Sequence, residues 1–224
     1  MSGILQPMMA SYKQRTYATW NPSLNGVTRY GPQWWNGSAW VTPQMTWNLS
    51  NNNLTATSST VNGNWTSNFG CFLDASIYLA EYSGKWYCEL TFASSAPDEP
   101  IFGVMLTGHD TGSYLGYDLY SVSYYGGYLY SNGATVSGQY NGQIAAGDVV
   151  GLAIDRSGAY TSNTCSVYVN NVFKETFNIA AAQTGTVAID NNWRNGKTIT
   201  ANFGASPFVY TPPTGYNPGI YTTP

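Results

Sequence analysis

The chain has 224 residues, 43% of them hydrophobic, which suits one large domain with an appendage or two small domains. Only 8% are charged, against roughly 25% in an ordinary globular protein, and the 8 basic and 11 acidic side chains leave a net charge of −3. Lysine and arginine are scattered singly from Lys13 to Lys197, so the basic stripe that nucleic acid or an anionic membrane would require is missing. Asn, Ser, Thr, Gly, Gln and Tyr must therefore cover most of the surface. Such a surface resembles those of secreted or particle-borne proteins.

Met1 to Ala10 has no basic segment and only a broken apolar run, so no secretory signal is expected. No apolar window approaches the ~18 residues of a membrane span. The best helix candidate is Met8 to Arg15. Residues 1–44 carry Trp20, Trp34, Trp35 and Trp40 with little strand periodicity. They are expected to form an irregular arm, with Trp34, Trp35 and Trp40 as a candidate attachment interface. Thr19-Trp20-Asn21 is echoed by Thr46-Trp47-Asn48.

From residue 45 onward, short runs bounded by turn residues predict strands at 45–49, 53–59, 67–72, 84–93, 100–107, 120–125 and 128–131. Further strands are predicted at 148–155, 164–170, 172–177, 185–190 and 197–203. Asn-Gly pairs such as 132–133 and 141–142 punctuate them as turn signals. Val149, Gly151 and Ala153 alternate with Val150, Leu152 and Ile154, so both faces of that strand are apolar and it belongs between two layers. In the next strand Cys165, Val167 and Val169 share one face, opposite Ser166, Tyr168 and Asn170. Short strands at this spacing predict an all-β fold, an antiparallel β-sandwich of two sheets. The proline-rich stretch 211–224 is expected to lack regular secondary structure, with residues 216–224 as a C-terminal tail.

Motifs for catalysis are absent. His109 is followed by Asp110, but neighbours in a strand point to opposite faces, and no GxSxG nucleophile motif accompanies them. A loop role is expected for His109. The carboxylates Asp98, Glu99, Asp110, Asp118, Asp148, Asp155 and Asp190 suggest caps and solvated loops rather than a glycosidase pair. No P-loop, GxGxxG, HExxH or EF-hand loop occurs, so the chain is expected to be no enzyme, with no cofactor and no metal. Cys71, Cys88 and Cys165 show no metal spacing; buried thiols are expected, and a disulfide between two of them stays open.

Two segments suit a binding surface. Tyr114, Tyr117, Tyr120, Tyr124, Tyr125, Tyr128 and Tyr130 are interleaved with glycines. Tyrosine offers a rigid face and a hydroxyl at low entropic cost. Tyr120 or Tyr124 is expected to be structural, while at least two of Tyr114, Tyr117, Tyr125 and Tyr128 should be exposed. The second segment is Asn191–Asn195, where Trp193 beside Arg194 has the composition of an interface hot spot.

Ser83-Gly84-Lys85-Trp86-Tyr87-Cys88-Glu89-Leu90 is followed by Ile101-Phe102-Gly103-Val104, Gly147-Asp148-Val149-Val150-Gly151 and Val167-Tyr168-Val169-Asn170. The series closes on Asn202-Phe203-Gly204, Pro207-Phe208 and Pro212-Pro213. In this order the pieces resemble the SPRY domain over roughly residues 83–215, and Pro22-Ser23 after Trp20 resembles the opening of phage-type members. Asn171 stands where the family often has the glycine of a hairpin turn, and Cys88 where a second aromatic is more usual. The resemblance implies two curved antiparallel sheets of the concanavalin-like jelly-roll type over residues 45–215, binding partners through loops at one end. It makes residues 24–44 an insertion after the opening.

Composition and resemblance together lead to the expectation of a non-enzymatic structural or adhesion protein of a tailed-phage virion, as capsid decoration or tail component. Its partners would be capsid or tail subunits and a host-surface glycan or protein, in a homo-oligomer, without nucleic acid and without membrane insertion. The alternatives are a lectin-like carbohydrate-binding module and an intracellular peptide-binding adaptor.

Overall fold

The computed structural model describes residues 14–31, 33–62, 72–93, 101–110, 113–136, 142–159, 162–179, 183–191 and 196–223. The fold is an all-β sandwich of antiparallel sheets. The larger sheet runs, in spatial order, Val172–Asn178, Thr164–Val169, Val149–Arg156, Gly84–Phe92, Thr198–Asn202, Thr55–Val61, Gln44–Ser50 and Thr28–Tyr30. The smaller runs Ala134–Thr135, Tyr128–Ser131, Ser121–Tyr125, Ile101–Leu106, Gly185–Asp190 and Phe72–Asp74. Both sheets join meanders of consecutive strands through long-range pairings such as Gly84–Phe92 with Thr198–Asn202 in the larger and Ile101–Leu106 with Gly185–Asp190 in the smaller.

The expected strands form where alternation and turn chemistry agree. Val149–Arg156 is buried on both faces apart from Asp155, and Thr164–Val169 buries Cys165, Val167 and Val169 on one face. Their continuation turns at Asn170 and Asn171, with φ of 49° and 63°. Two successive left-handed residues are what a two-residue type I′ hairpin needs, and asparagine tolerates them nearly as well as glycine. Gly151 allows a close approach: a Cβ there would collide with the Tyr87 ring and hydroxyl on the neighbouring strand.

Facing side chains of the two sheets, among them Leu90, Phe92, Phe102, Val104, Leu152, Val187 and Ile189, make one main core. Ile101 and Met105, on the opposite face of their strand, enter a second cluster with Phe72, Leu115 and Ala188. The segment after Leu106 folds back over the outside of the smaller sheet to supply Leu115. Its backbone is held there by Leu115 N donating to Asp190 (3.2 Å) and Ser123 Oγ donating to Leu115 O (2.7 Å).

Both chain ends differ from the expectation. Residues 14–31 are no separate arm: Trp20 is fully buried against Phe203, with ring centroids 5.4 Å apart. Thr28–Tyr30 pairs with Gln44–Thr46 as the edge strand of the larger sheet. The division at residue 44 is therefore not a structural one. Its cause is that Ala18 and Trp20 alternate inward beside polar neighbours, a pattern too short to register as a strand. Of the Met8–Arg15 helix candidate, only residues 14 and 15 are described, and they lie in no helix.

The C-terminal stretch is likewise integrated. Asn217–Pro218 pairs in parallel with Trp86 and Tyr87, Tyr221–Thr222 pairs with Thr16–Tyr17, and Ile220 is fully buried. Glu89 holds the preceding segment. Its carboxylate is 2% exposed and accepts from Val209 N (2.8 Å), Tyr210 N (2.9 Å) and the Tyr87 hydroxyl (3.2 Å). The expectation that 211–224 lacks regular secondary structure is corrected by the two short strands Asn217–Pro218 and Tyr221–Thr222, which long-range pairing fixes, while residues 211–216 stay irregular.

Candidate functional site

Three surfaces carry the candidate residues. The first is a long hairpin spanning residues 28–46. Above the Thr28–Tyr30 pairing, Gly31 N donates to Pro43 O at 2.9 Å, and Trp34–Trp35 then pairs with Trp40–Val41. Asn36 shapes the tip: its Oδ1 accepts from the backbone N–H groups of Ser38 and Ala39, each at 2.9 Å. This is the asparagine side-chain turn that competes with regular structure. Trp35 and Trp40 are cross-strand partners, 53% and 65% exposed, with rings edge to face at 6.0 Å. The side chain of Trp34 lies outside the described set. The suspected insertion is thus a hairpin that displays two tryptophans to solvent.

The second surface is the tyrosine block. Tyr124 is fully buried, stacked on Phe102 at 5.3 Å, and its hydroxyl donates to Gly142 O. Its structural role agrees with the expectation. Of the other four, only Tyr117 is exposed, at 42%; Tyr114, Tyr125 and Tyr128 are half-buried. The expectation of two exposed tyrosines is corrected. Tyr114 and Tyr125 pack on the outer cluster around Leu115, because the segment that bears Tyr114 is folded flat on the sheet. Tyr114 still meets Tyr117 edge to face at 5.3 Å. Burial, then the neighbouring phenols, raises the pKa of Tyr114 and of Tyr130. Tyr125 and Tyr128 face each other across the hairpin turn. Trp193 and Arg194 lie outside the described residues.

The third surface is a cleft of about 520 Å³ where the edge strands of the two sheets meet. Thr28–Tyr30 contributes Arg29, Phe72–Asp74 contributes Phe72 and Asp74, and the turn after Leu106 contributes Thr107, Gly108 and His109. The Arg29 guanidinium lies 4.7 Å above the Phe72 ring, whose other neighbour is the His109 imidazole at 5.4 Å. His109 is held by Asp118, not by adjacent Asp110: Nδ1 is 2.9 Å from Asp118 Oδ1. The same carboxylate accepts from Asp110 N (2.8 Å), Tyr120 N (3.0 Å) and Ser121 Oγ (3.0 Å). Partial burial works to raise the Asp118 pKa, but the Asp110 amide, His109 and the Ser121 hydroxyl together bring it below the ordinary value. The His109 side chain is 1% exposed, and its Nε2 has no hydrogen-bond partner among the described residues. Asp74, on the same strand as Phe72, also lines the cleft; it is buried and accepts from the Tyr78 hydroxyl at 2.6 Å and from Asn21 Nδ2 at 3.3 Å.

Sequence reasoning reached His109, set Asp110 aside as its partner and expected a loop role; the residue does lie in the turn after Leu106, but its pairing with Asp118 was not foreseen. The nine-residue gap to Asp118 crosses a glycine-containing turn and has no regular period to betray it. Arg29 and Asp74 come from strands remote in sequence, and neither was singled out. Cys88 and Cys165 are free and buried, as expected; burial first, then a neighbouring charge, raises both thiol pKa values. Cys71 lies outside the described residues.

Compared with known proteins, the chain matches no family model and no curated protein.

Proposed function

We propose that the chain is a non-enzymatic structural and adhesion protein of a virus particle, a tailed phage, built on a SPRY-type sandwich. The observation that carries this reading is the pair of exposed tryptophans at the tip of the 28–46 hairpin. Tryptophan is enriched in interface hot spots and rarely displayed in pairs on a surface that faces only water. A low-charge coat of hydroxyl and amide side chains suits close packing beside other subunits. The motifs that resemble SPRY sequences support the scaffold reading, since they fall on core strands and on the segment clasped by Glu89.

In this reading the hairpin docks on a neighbouring capsid or tail subunit, and the sandwich faces outward. Co-sedimentation of the purified chain with particles stripped of it tests the assignment. The wild type is expected to rebind, and Trp35→Ala/Trp40→Ala is expected to lose rebinding with an unchanged circular dichroism spectrum. A chain that stays monomeric and ignores the particles, or a double variant that rebinds normally, overturns the reading.

A further inference from the structure

The edge cleft has the make-up of a ligand site that the docking function does not use. Among the described lining residues its one cation, Arg29, is unspent: no carboxylate lies within ion-pairing distance of the guanidinium, which sits over the Phe72 ring. A guanidinium over a ring face has N–H groups left for bidentate pairing with a planar anion. The second observation is independent. His109 is almost wholly buried in the cleft wall, its Nδ1 is committed to Asp118, and Nε2 has no partner among the described residues. A buried polar atom left open costs about 1–3 kcal/mol, so it calls for an explanation, and a site completed by its ligand is one.

We propose that this cleft binds a monoanionic, polyhydroxylated small molecule, an acidic sugar, with its carboxylate on Arg29 and its ring beside His109. Charge selects the monoanion. Buried Asp74 also lines the cleft and the Asp118 carboxylate is bonded to His109, so a dianion such as phosphate meets repulsion that a carboxylate largely escapes. The remaining polar groups suit hydroxyls. Thr107 and Thr184 bond to each other at 2.7 Å and keep acceptor lone pairs for a ligand. Leu24 and Met105 add apolar surface for a sugar's C–H face. A volume near 520 Å³ accommodates one or two rings and lies within the usual range for small-molecule sites, ~300–1,000 Å³. This assignment does not depend on the particle function.

His109 is the chain's one histidine, so its ring nitrogens give an unambiguous NMR signal. The full-length protein is titrated separately with the methyl glycoside of N-acetylneuraminic acid, glucuronic acid, galactose and inorganic phosphate. Saturable binding of at least one acidic sugar is expected, together with a shift of the His109 ring resonances. Arg29→Met, which keeps apolar cover over Phe72, is expected to weaken binding by about ten-fold or more, as for a lost charge-assisted pair. Arg29→Lys should recover only part of it. Five outcomes overturn the proposal: neither acidic sugar binds, galactose binds equally well, phosphate alone binds, Arg29→Met binds normally, or the sugar binds without moving the His109 signals. Melting temperatures of both variants near the wild type confirm that a loss comes from the site.

Discussion

Tryptophan meets opposite fates in two neighbouring regions. Trp20 and Trp47, the centres of the repeated Thr-Trp-Asn triplets, are buried to 0% and 2%, whereas Trp35 and Trp40 stand more than half exposed. All four belong to the segment before the first core motif, and composition treats them alike. What separates them is partner supply. Trp20 reaches Phe203, the residue after the Thr198–Asn202 strand, and its backbone N–H donates to Asn53 O at 2.8 Å. Trp35 has Trp40 and the strand pairing of its own hairpin. The buried tryptophan is held by residues far away in sequence, and the exposed pair is held locally.

The largest expected effect breaks the first half of that comparison. Trp20→Ala removes a fully buried indole and should destabilise the fold by about 3–5 kcal/mol, as large-to-small core substitutions do. Urea titration followed by circular dichroism measures it. A loss below about 1 kcal/mol would return residues 14–24 to the status of a loose arm. Next comes Glu89→Gln, which keeps the shape but leaves the clasp a neutral acceptor. Hydrogen bonds to a charged group contribute about 1.5–3 kcal/mol, so a loss in that range is expected in the same titration. Limited proteolysis near Val209 should accelerate in parallel. Stability unchanged by Glu89→Gln would mean that Ile220 and the short terminal pairings fix the C-terminal segment by themselves.

How much of this was legible in the sequence follows the same division between local and distant partners. Strands with their own periodicity, such as Val149–Arg156 and Thr164–Val169, stood in the pattern, as did the Asn170-Asn171 turn and the structural role of Tyr124. The Glu89 clasp was hidden, because its partners lie 120 and 121 residues away and are backbone N–H groups that any residue supplies. The half-burial of Tyr114 was hidden as well. It depends on Leu115 settling on the outer face of the smaller sheet, and one leucine in a Gly/Tyr-rich loop leaves no period to detect. Of the cleft only His109 drew attention, since Arg29, Asp74 and Asp118 converge from three separate elements.

Smaller effects test the second half of the comparison. Trp35→Ala and Trp40→Ala should each change stability by no more than about 0.5 kcal/mol, the range of ordinary surface substitutions. Acrylamide should quench the wild type more strongly than the double variant, because the two exposed indoles are more accessible than half-buried Trp86 and buried Trp20 and Trp47. A loss of 2 kcal/mol or more in either single variant would show that the hairpin is a structural element, and would take away the basis for a docking role.

The smallest effect is a divergence with pH. Residues 28–46 contain no aspartate, glutamate or histidine, so docking through the hairpin has no acid-titrating group of its own. Among the described residues of the sandwich, two aspartates have lowered pKa values. Asp118 is opposed by burial but brought below its ordinary pKa by the Asp110 amide, His109 and Ser121, and Asp155 likewise by Lys85 at 2.8 Å and Ser157. A carboxylate whose folded pKa is lowered contributes stability in full above its unfolded value, ~3.9 for aspartate, and loses it as pH falls through the folded value. Folding stability should therefore be flat with respect to these two groups from pH 7 to about 5 and decline below pH 4. Asp118→Asn should be less stable than the wild type at pH 7 and converge on it in acid. Rebinding to particles should stay constant wherever the chain remains folded. Rebinding that weakens between pH 7 and 5 would place a titrating group in the docking contact and move the interface away from the tryptophan hairpin.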